Sequence, residues 1–400
     1  MNWIQKNIVL KGDKTIWLIV LLLSIVSLLA VYSSTGLLAF KKVSGNTEHF
    51  LFKHFIVLCG GGVIMYGTSN LPYTLYAKLA RFFYLLAVPL LIFTLFMGTN
   101  LNDANRWITL PIIGMTFQSS DFAKIALILF LARQISKNQK TIHEWKTTVV
   151  PLLAIVFIVC ALIFPANFST AALLFFTSMV IMFIGRVTIK HLSAIVGIAV
   201  LGVVAFILFA KIIGYKGRIE TWTNRVVNWA GKNDDHVDSS KNAKVEFTDE
   251  DYQAQQAKIA IATGGFFGKG PGNSEQRNFL PHPYSDFIFA IIIEEYGLVG
   301  GCFILFLYLL FFYRAILIVK KTDKAFAAMI TIGFAFSMVF QALINMGVAT
   351  GVFPVTGQTL PLLSMGGSSI IFTSFAFGVI LSVSNSLSNK EILEDSSAIN

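Results

Sequence analysis

Long apolar runs separated by short polar breaks organise this chain, and their lengths match helices crossing lipid rather than half-buried strands. A bilayer core about 30 Å thick takes roughly 20 helical residues at about 1.5 Å each. Ten runs meet or approach that length: Ile16 to Ser33, Phe55 to Gly67, Phe82 to Gly98, Phe122 to Ile135, Val149 to Phe164, Ala171 to Ile184, Leu192 to Ile212, Phe287 to Tyr313, Phe326 to Thr350 and Ser368 to Val383. The second, fourth and sixth are short, so flanking polar residues or neighbouring helices must complete them. The run from Phe287 to Tyr313 is unusually long and holds Glu294 and Glu295, so it is expected to tilt, kink or break near Gly297. With no charged connector inside it, it counts as one crossing. The pattern predicts an all-α polytopic membrane protein of about ten transmembrane helices, with a large exported loop between helices 7 and 8. Residues 1–390 are expected to form a single transmembrane domain that includes the exported loop 214–285. Residues 391–400 read as a short, flexible cytoplasmic tail.

Composition agrees with lipid as the solvent. The chain is 55% hydrophobic and 13% charged, against about 25% charged in a soluble domain. Lys and Arg resist transfer across an energised membrane, so their distribution among the loops orients the bundle. One set of connections holds Lys6, Lys11, Lys14, Lys78, Arg81, Arg133, Lys137, Lys140, Lys146, Arg186, Lys190, Arg314, Lys320, Lys321, Lys324 and Lys390. Short loops of the other set hold Lys41, Lys42, Lys53 and Arg106. That bias places both termini in the cytoplasm. The net charge of +10 is then a topology signal, and nucleic acid is set aside because no compact basic face is present. Cys59, Cys160 and Cys302 lie in apolar runs without metal-ligand spacing and read as buried hydrophobes. The first run is too long, and lacks the small-residue cleavage pattern, for a removable signal peptide.

Three segments carry chemistry. Asp286 stands where the hydrophilic loop meets the eighth apolar run, and a carboxylate at the mouth of a spanning helix needs water, a partner or a job. If Phe287 begins the helix, the plain alternative is that Asp286 only caps it. Gly264-Gly265-Phe266-Phe267-Gly268-Lys269-Gly270-Pro271-Gly272 has the glycine density of tight turns and close backbone approach, and it lacks the residue order of a nucleotide P-loop. The stretch before it, Gly231 to Asp251, is polar and acidic and is expected to be mobile. The uncharged connector Gly351 to Ser369 can re-enter the protein interior if neighbours satisfy its backbone. Within the fourth span, Lys124 follows Asp121 by three positions, so an intramembrane ion pair competes with a functional role. Gln341 and Asn345 share a helical face suited to interhelical hydrogen bonds.

The ordered motifs resemble those of the SEDS family of bacterial shape, elongation, division and sporulation proteins, the FtsW/RodA/SpoVE group. They are Asn105-Arg106-Trp107-Ile108, Phe117-Gln118-Ser119-Ser120-Asp121-Phe122-Ala123-Lys124, Tyr252-Gln253, Gly268 to Gln276, Leu280-Pro281 to Ala290, Glu294-Glu295-Tyr296-Gly297, Pro354-Val355-Thr356-Gly357 and Leu360 to Ser369. The spacing from Asn105 to Gln118 looks closest to the division members. The resemblance implies polymerisation of lipid II into glycan strands by direct, inverting displacement at the septal inner membrane. It also implies a class B penicillin-binding protein as transpeptidase partner, together with other division proteins.

By the same resemblance Asp286 is the general base, and Arg106, Trp107, Lys124, Gln276, Arg277 and Ser368 are expected to bind substrate. Asp121, Glu294, Glu295, Gly270, Gly272, Pro354, Gly366 and Gly367 are expected in supporting roles. On a regular helix Glu294 and Glu295 cannot both share the face of Asp286; one is expected to pair within the bundle while the other faces a cavity. A divalent cation such as Mg or Mn is compatible with pyrophosphate departure, although no dedicated ligand cluster is present. The chain departs from the family pattern at Tyr284 (usually His), Asp121 (usually Glu), Asn167 (usually Asp) and Arg277 (usually Lys). Tyr284 takes no proton near neutral pH, which argues against an obligatory acid-base dyad. Competing readings are a lipid or solute transporter, which needs linked polar positions open to both sides, and a division scaffold without catalysis.

Overall fold

The computed structural model describes residues 10–36, 47–101, 104–110, 115–213 and 249–398, with the isolated positions 38, 40, 225 and 229. The elements in chain order are α1 (Lys14–Ser34), α2 (Thr47–Asn70), α3 (Tyr73–Met97), β1 (Thr99–Leu101), β2 (Ala104–Leu110), β3 (Met115–Gln118) and α4 (Ser119–Lys137). There follow α5 (Val150–Ile163, entered through a π-turn at Trp145–Val149), α6 (Phe168–Ile184), α7 (Ile189–Ile213), α8 (Asp249–Gly264), α9 (Ile288–Lys320), α10 (Ala325–Ala349) and α11 (Gly367–Ala398). Among the described residues, 8 helices are long and apolar enough to cross a membrane. Two more stand at predicted positions: α6 has only 17 residues, and α4 carries Asp121, Lys124, Arg133 and Lys137.

Burial ranks the helices. In α10, 72% of the apolar window is buried, against 6% in α7, so α10 is the axis of the bundle and α7 its lipid-facing rim. Helices α4, α6, α9 and α11 surround α10, and α2 packs on α11. Polar bonds fix α1 against α9 at both ends. Asp13 caps α1 through Thr15 N at 2.8 Å and pairs with Arg314 Nε at 2.9 Å. About 30 Å further along the helix, Ser33 bonds to Glu295 and Arg277. These two polar clusters therefore lie at opposite membrane faces.

Several expectations need correction. A three-stranded antiparallel sheet, in the order β1-β2-β3, stands where the sequence suggested only a connection into the fourth span. Its strands are short, and their alternation merges with the apolar runs on either side. Within the segment expected to be an exported loop, residues 249–264 form the helix α8, while positions 230–248, most of the stretch expected to be mobile, lie outside the described residues. Helix α11 continues to Ala398 instead of yielding to a flexible tail at 391; residues 384–398 contain no Gly or Pro to stop it. Cys59 and Cys302 are exposed rather than buried, which costs little where the solvent is hydrocarbon.

The long α9 does break at Gly297, whose φ of 69° and ψ of −171° leave the helical region. A Cβ there would collide with the Phe266 carbonyl and the Gly268 amide. The same holds in reverse at Gly268 against the Glu295 carbonyl, so the two backbones touch only because both positions are glycine.

Candidate active site

Asp286 lies on a ledge held by its backbone. The turn 283–287 precedes α9, whose N-cap position belongs to Phe287 and has no side-chain cap bond. Asp286 is therefore one residue outside the cap, and the capping alternative fails. The carbonyls of Tyr284, Ser285 and Asp286 accept in turn from Met365 N at 2.9 Å, Ser364 Oγ at 2.5 Å and Asn345 Nδ2 at 2.7 Å. The half-buried carboxylate faces the connector: a Cβ on Gly357 would stand 3.9 Å from its Oδ2. Tyr284 Oη is 3.2 Å from His282 Nδ1. Burial, and then the negative charge of Asp286, push the Tyr284 phenol above its ordinary range, so it stays neutral.

The connector 351–366 re-enters as expected, and buried side chains satisfy it. Asn345 Nδ2 donates also to Gln358 O at 2.7 Å, Gln341 Nε2 donates to Thr359 O at 2.8 Å, and Gln358 Nε2 donates to Thr170 Oγ1 at 2.7 Å. Pro354 lines an apolar crevice of about 370 Å³ with Phe168, Phe176 and Phe340. Gly366 accepts the first-turn bond from Ile370 N at 3.1 Å, and Gly367 opens α11. Ser368 Oγ accepts from Gln118 N at 3.3 Å. Gln118 pairs with Trp107 across the β2–β3 ladder. The sheet is thus bonded to the first turn of α11, just beyond the connector residues Ser364 and Met365 that hold the Asp286 ledge. Arg106 sits beside Trp107 on β2, and its side chain lies outside the described residues.

Below the connector, Lys124 Nζ donates to Gln341 Oε1 at 2.7 Å and stands 3.7 Å from Asp121 Oδ1. The shorter Asp121 arm therefore preserves the ion pair. Asp121, Lys124, Ser337, Gln341 and Ser369 line a cavity of about 30 Å³, room for a water molecule. Asp121 Oδ2 and Ser337 Oγ are buried there without a hydrogen-bond partner among the described groups. Asn167, the other polar departure, caps α6 through Thr170 N at 3.2 Å.

A second cluster gathers around the kink of α9, about 12 Å along the helix from Asp286 at 1.5 Å per residue. Glu294 and Glu295 are 0% and 1% exposed, and both hold the glycine-rich segment. This corrects the expectation that one would face a cavity. Glu294 accepts from Lys269 Nζ at 3.0 Å, Ser274 Oγ, Glu275 N at 3.1 Å and Gln276 N at 3.2 Å. Glu295 accepts from Ser33 Oγ and from Ser274 N at 3.4 Å. Lys269 N and Gly270 N also bond the Glu294 and Glu295 carbonyls, each at 2.9 Å. The Glu294 bond raises the proton affinity of Lys269 above the ordinary lysine value. Gly270 and Gly272 take positive φ in the turn. Arg277 Nη1 donates to Ser33 O at 3.1 Å and Ser33 Oγ at 3.0 Å, while the buried Gln276 Oε1 has no partner among the described groups.

The expected site residues therefore fall into two groups. Asp286, Trp107, Lys124, Asp121, Pro354, Gly366, Gly367 and Ser368 meet around the connector, whereas Gln276, Arg277, Glu294, Glu295, Gly270 and Gly272 form the clamp at the kink. Sequence reasoning missed Ser33, Lys269, Ser274 and Ser364. Only Lys269 had a visible signal, as the lone charge inside the glycine run. Among the described residues, no three His, Cys, Asp or Glu side chains converge to hold a metal ion.

Comparison with known proteins identifies the family. The family described as cell cycle protein, FTSW_RODA_SPOVE, matches residues 13–389. Stage V sporulation protein E of Bacillus subtilis is 33% identical over 377 residues, covering 93% of this chain and 96% of that protein. The probable peptidoglycan glycosyltransferase FtsW of Coxiella burnetii is 30% identical over 393 residues, covering 96% and 100%. A chain solved in a study of the structural coordination of polymerization and crosslinking by a peptidoglycan synthase complex superposes with a TM-score of 0.68 at 24% identity, covering 94% and 98%. At that identity the likeness carries the fold.

Proposed function

The chain belongs to the FtsW/RodA/SpoVE family of cell cycle proteins, and from that membership and the geometry around Asp286 we infer its reaction. It is a membrane-embedded peptidoglycan glycosyltransferase of cell-wall synthesis, as its relatives' names indicate. We propose that the donor is lipid II and that Asp286 is the general base. The acceptor sugar hydroxyl gives its proton to the Asp286 carboxylate while its oxygen forms the new bond to the anomeric carbon. The bond from that carbon to pyrophosphate breaks on the opposite side, which inverts the configuration. Arg106 is suited to phosphate oxygens, and Trp107 to a sugar or prenyl face. Lys124 acts on the connector through Gln341 rather than on the phosphate.

One observation carries this reading. Asp286 is half-buried on a ledge fixed by three backbone bonds, whereas Glu294 and Glu295 are sealed and engaged with loop donors. The placement proposed is the bacterial inner membrane at the septum, with both termini cytoplasmic and a class B penicillin-binding protein as crosslinking partner. The study of a synthase complex that polymerises and crosslinks supports that pairing. The test is polymerisation of purified lipid II by reconstituted protein, alone and with its transpeptidase. Asp286→Ala should fold and bind its partner but yield no glycan. Product at the parent rate would refute the assignment, and flipping of labelled lipid without chain formation would favour transport.

A further inference from the structure

We propose that Asn345 is a positioning residue for the reaction: its side-chain amide holds the Asp286 carbonyl and thereby keeps Asp286 out of helix α9. The inference rests on the reading of Asp286 as general base.

Helix bonding around Asp286 is diverted. In a helix starting one residue earlier, the Asp286 carbonyl would accept from Ala290 N–H, four residues on. Ala290 N instead donates to Phe287 O at 3.0 Å, and Ile291 N bonds the same oxygen at 3.4 Å. The Asp286 carbonyl goes to Asn345 Nδ2 at 2.7 Å, and the other amide proton goes to Gln358 O at 2.7 Å. Two facing carbonyls accept only from the NH₂ end, so chemistry fixes the amide's orientation. Its own oxygen is left buried without a hydrogen-bond partner among the described groups, an arrangement that costs free energy. A side chain present only to satisfy the bundle would not need to be so one-sided.

Losing this bond has a defined structural consequence. The Asp286 carbonyl is then available to Ala290 N–H, and α9 can begin one residue earlier. Asp286 becomes the N-cap, where aspartate is among the preferred residues because its carboxylate bonds exposed backbone amides. A carboxylate so engaged is turned away from an incoming hydroxyl. Asn345 therefore separates a reactive from a capping arrangement of the same aspartate. Gln341, four residues earlier on the same face of α10, supplies an internal control. It holds the connector at Thr359 without touching the Asp286 carbonyl.

Three variants, Asn345→Leu, Asn345→Asp and Gln341→Leu, are compared with the parent for kcat and KM on lipid II in proteoliposomes, together with melting temperature. Asn345→Leu removes the donors at similar volume, and Asn345→Asp is nearly isosteric but turns oxygen toward both carbonyls. Both should lower kcat ten- to a hundred-fold, the cost of a displacement near 1 Å, with KM within about twofold. Gln341→Leu, at a comparable loss of melting temperature, should lower kcat less than either. Parent-like kcat in folded Asn345→Leu overturns the inference, as does equal kcat loss in the Asn345 and Gln341 variants tracking melting temperature. If Asn345→Leu does not fold, Asn345→Asp carries the same comparison. Asp286→Asn is run in parallel: if it polymerises at the parent rate, the general-base reading fails. If it is inactive while Asn345→Leu keeps parent kcat, only the inference about Asn345 fails.

Discussion

Two loops on the proposed exported side are both held from buried helical side chains, yet by opposite chemistry. The glycine-rich segment 264–276 wraps its N–H donors around carboxylates, Glu294 and Glu295. The connector 351–366 offers carbonyls to neutral amides, Gln341 and Asn345. Bonds to a charged group are worth roughly 1.5–3 kcal/mol, about twice a neutral bond, and leaving a buried carboxylate without them is expensive. The first loop is therefore built for persistence. The neutral clamp holds the backbone carbonyls around Asp286 with weaker bonds and brings no charge of its own to that ledge. One loop is held by carboxylates, the other by amides.

Gly297→Ala should break this comparison most severely. A Cβ meeting the Phe266 carbonyl cannot be relieved by a flexible side chain, and φ of 69° adds strain. Together these amount to roughly 3–5 kcal/mol, read as lost melting temperature and poor yield in detergent. Next comes Glu294→Ala, which strands the Glu275 and Gln276 amides and Ser274 at a cost of about 3 kcal/mol. Ser33→Ala, which removes a partner of both Glu295 and Arg277, should cost about 1 kcal/mol in the same assay.

The smallest effect concerns pH. Lys269 has a folded proton affinity above its unfolded value of about 10.4. Its contribution is fully present below that value and lost only as pH rises through the higher folded one. The melting difference between parent and Lys269→Met should be flat from pH 6 to 9. Tyr284→Phe should likewise leave the pH–rate profile unchanged over that range, since burial and Asp286 hold the phenol neutral.

Much of the frame was legible from hydropathy alone, because lipid demands helices of a set length. The break at Gly297 and the Asp121–Lys124 pair followed from residue type and local spacing, whereas the proposed role of Asp286 as base came from the family resemblance. What escaped was non-local. Helix α9 begins at Ile288 rather than at Phe287, and the competitor for the Asp286 carbonyl, Asn345, is 59 positions away. Glu294 and Glu295 point to different faces of a regular helix, yet both reach one loop because the helix breaks just beyond them and the loop folds over the break. No periodicity encodes Ser33 as the common partner of Glu295 and Arg277. The sheet at 99–118 was hidden because strands of 3, 7 and 4 residues are too short to display alternation beside spanning helices.

The most direct test sets one carboxylate from each loop against the other. Asp286→Asn and Glu294→Gln are reconstituted separately, and single-turnover polymerisation of lipid II is measured with melting temperature at a temperature where both are folded. Asp286→Asn should melt like the parent and form no glycan bond, while Glu294→Gln should melt lower and still form it. Parent-rate polymerisation by Asp286→Asn, or abolished chemistry in a fully folded Glu294→Gln, would contradict the account.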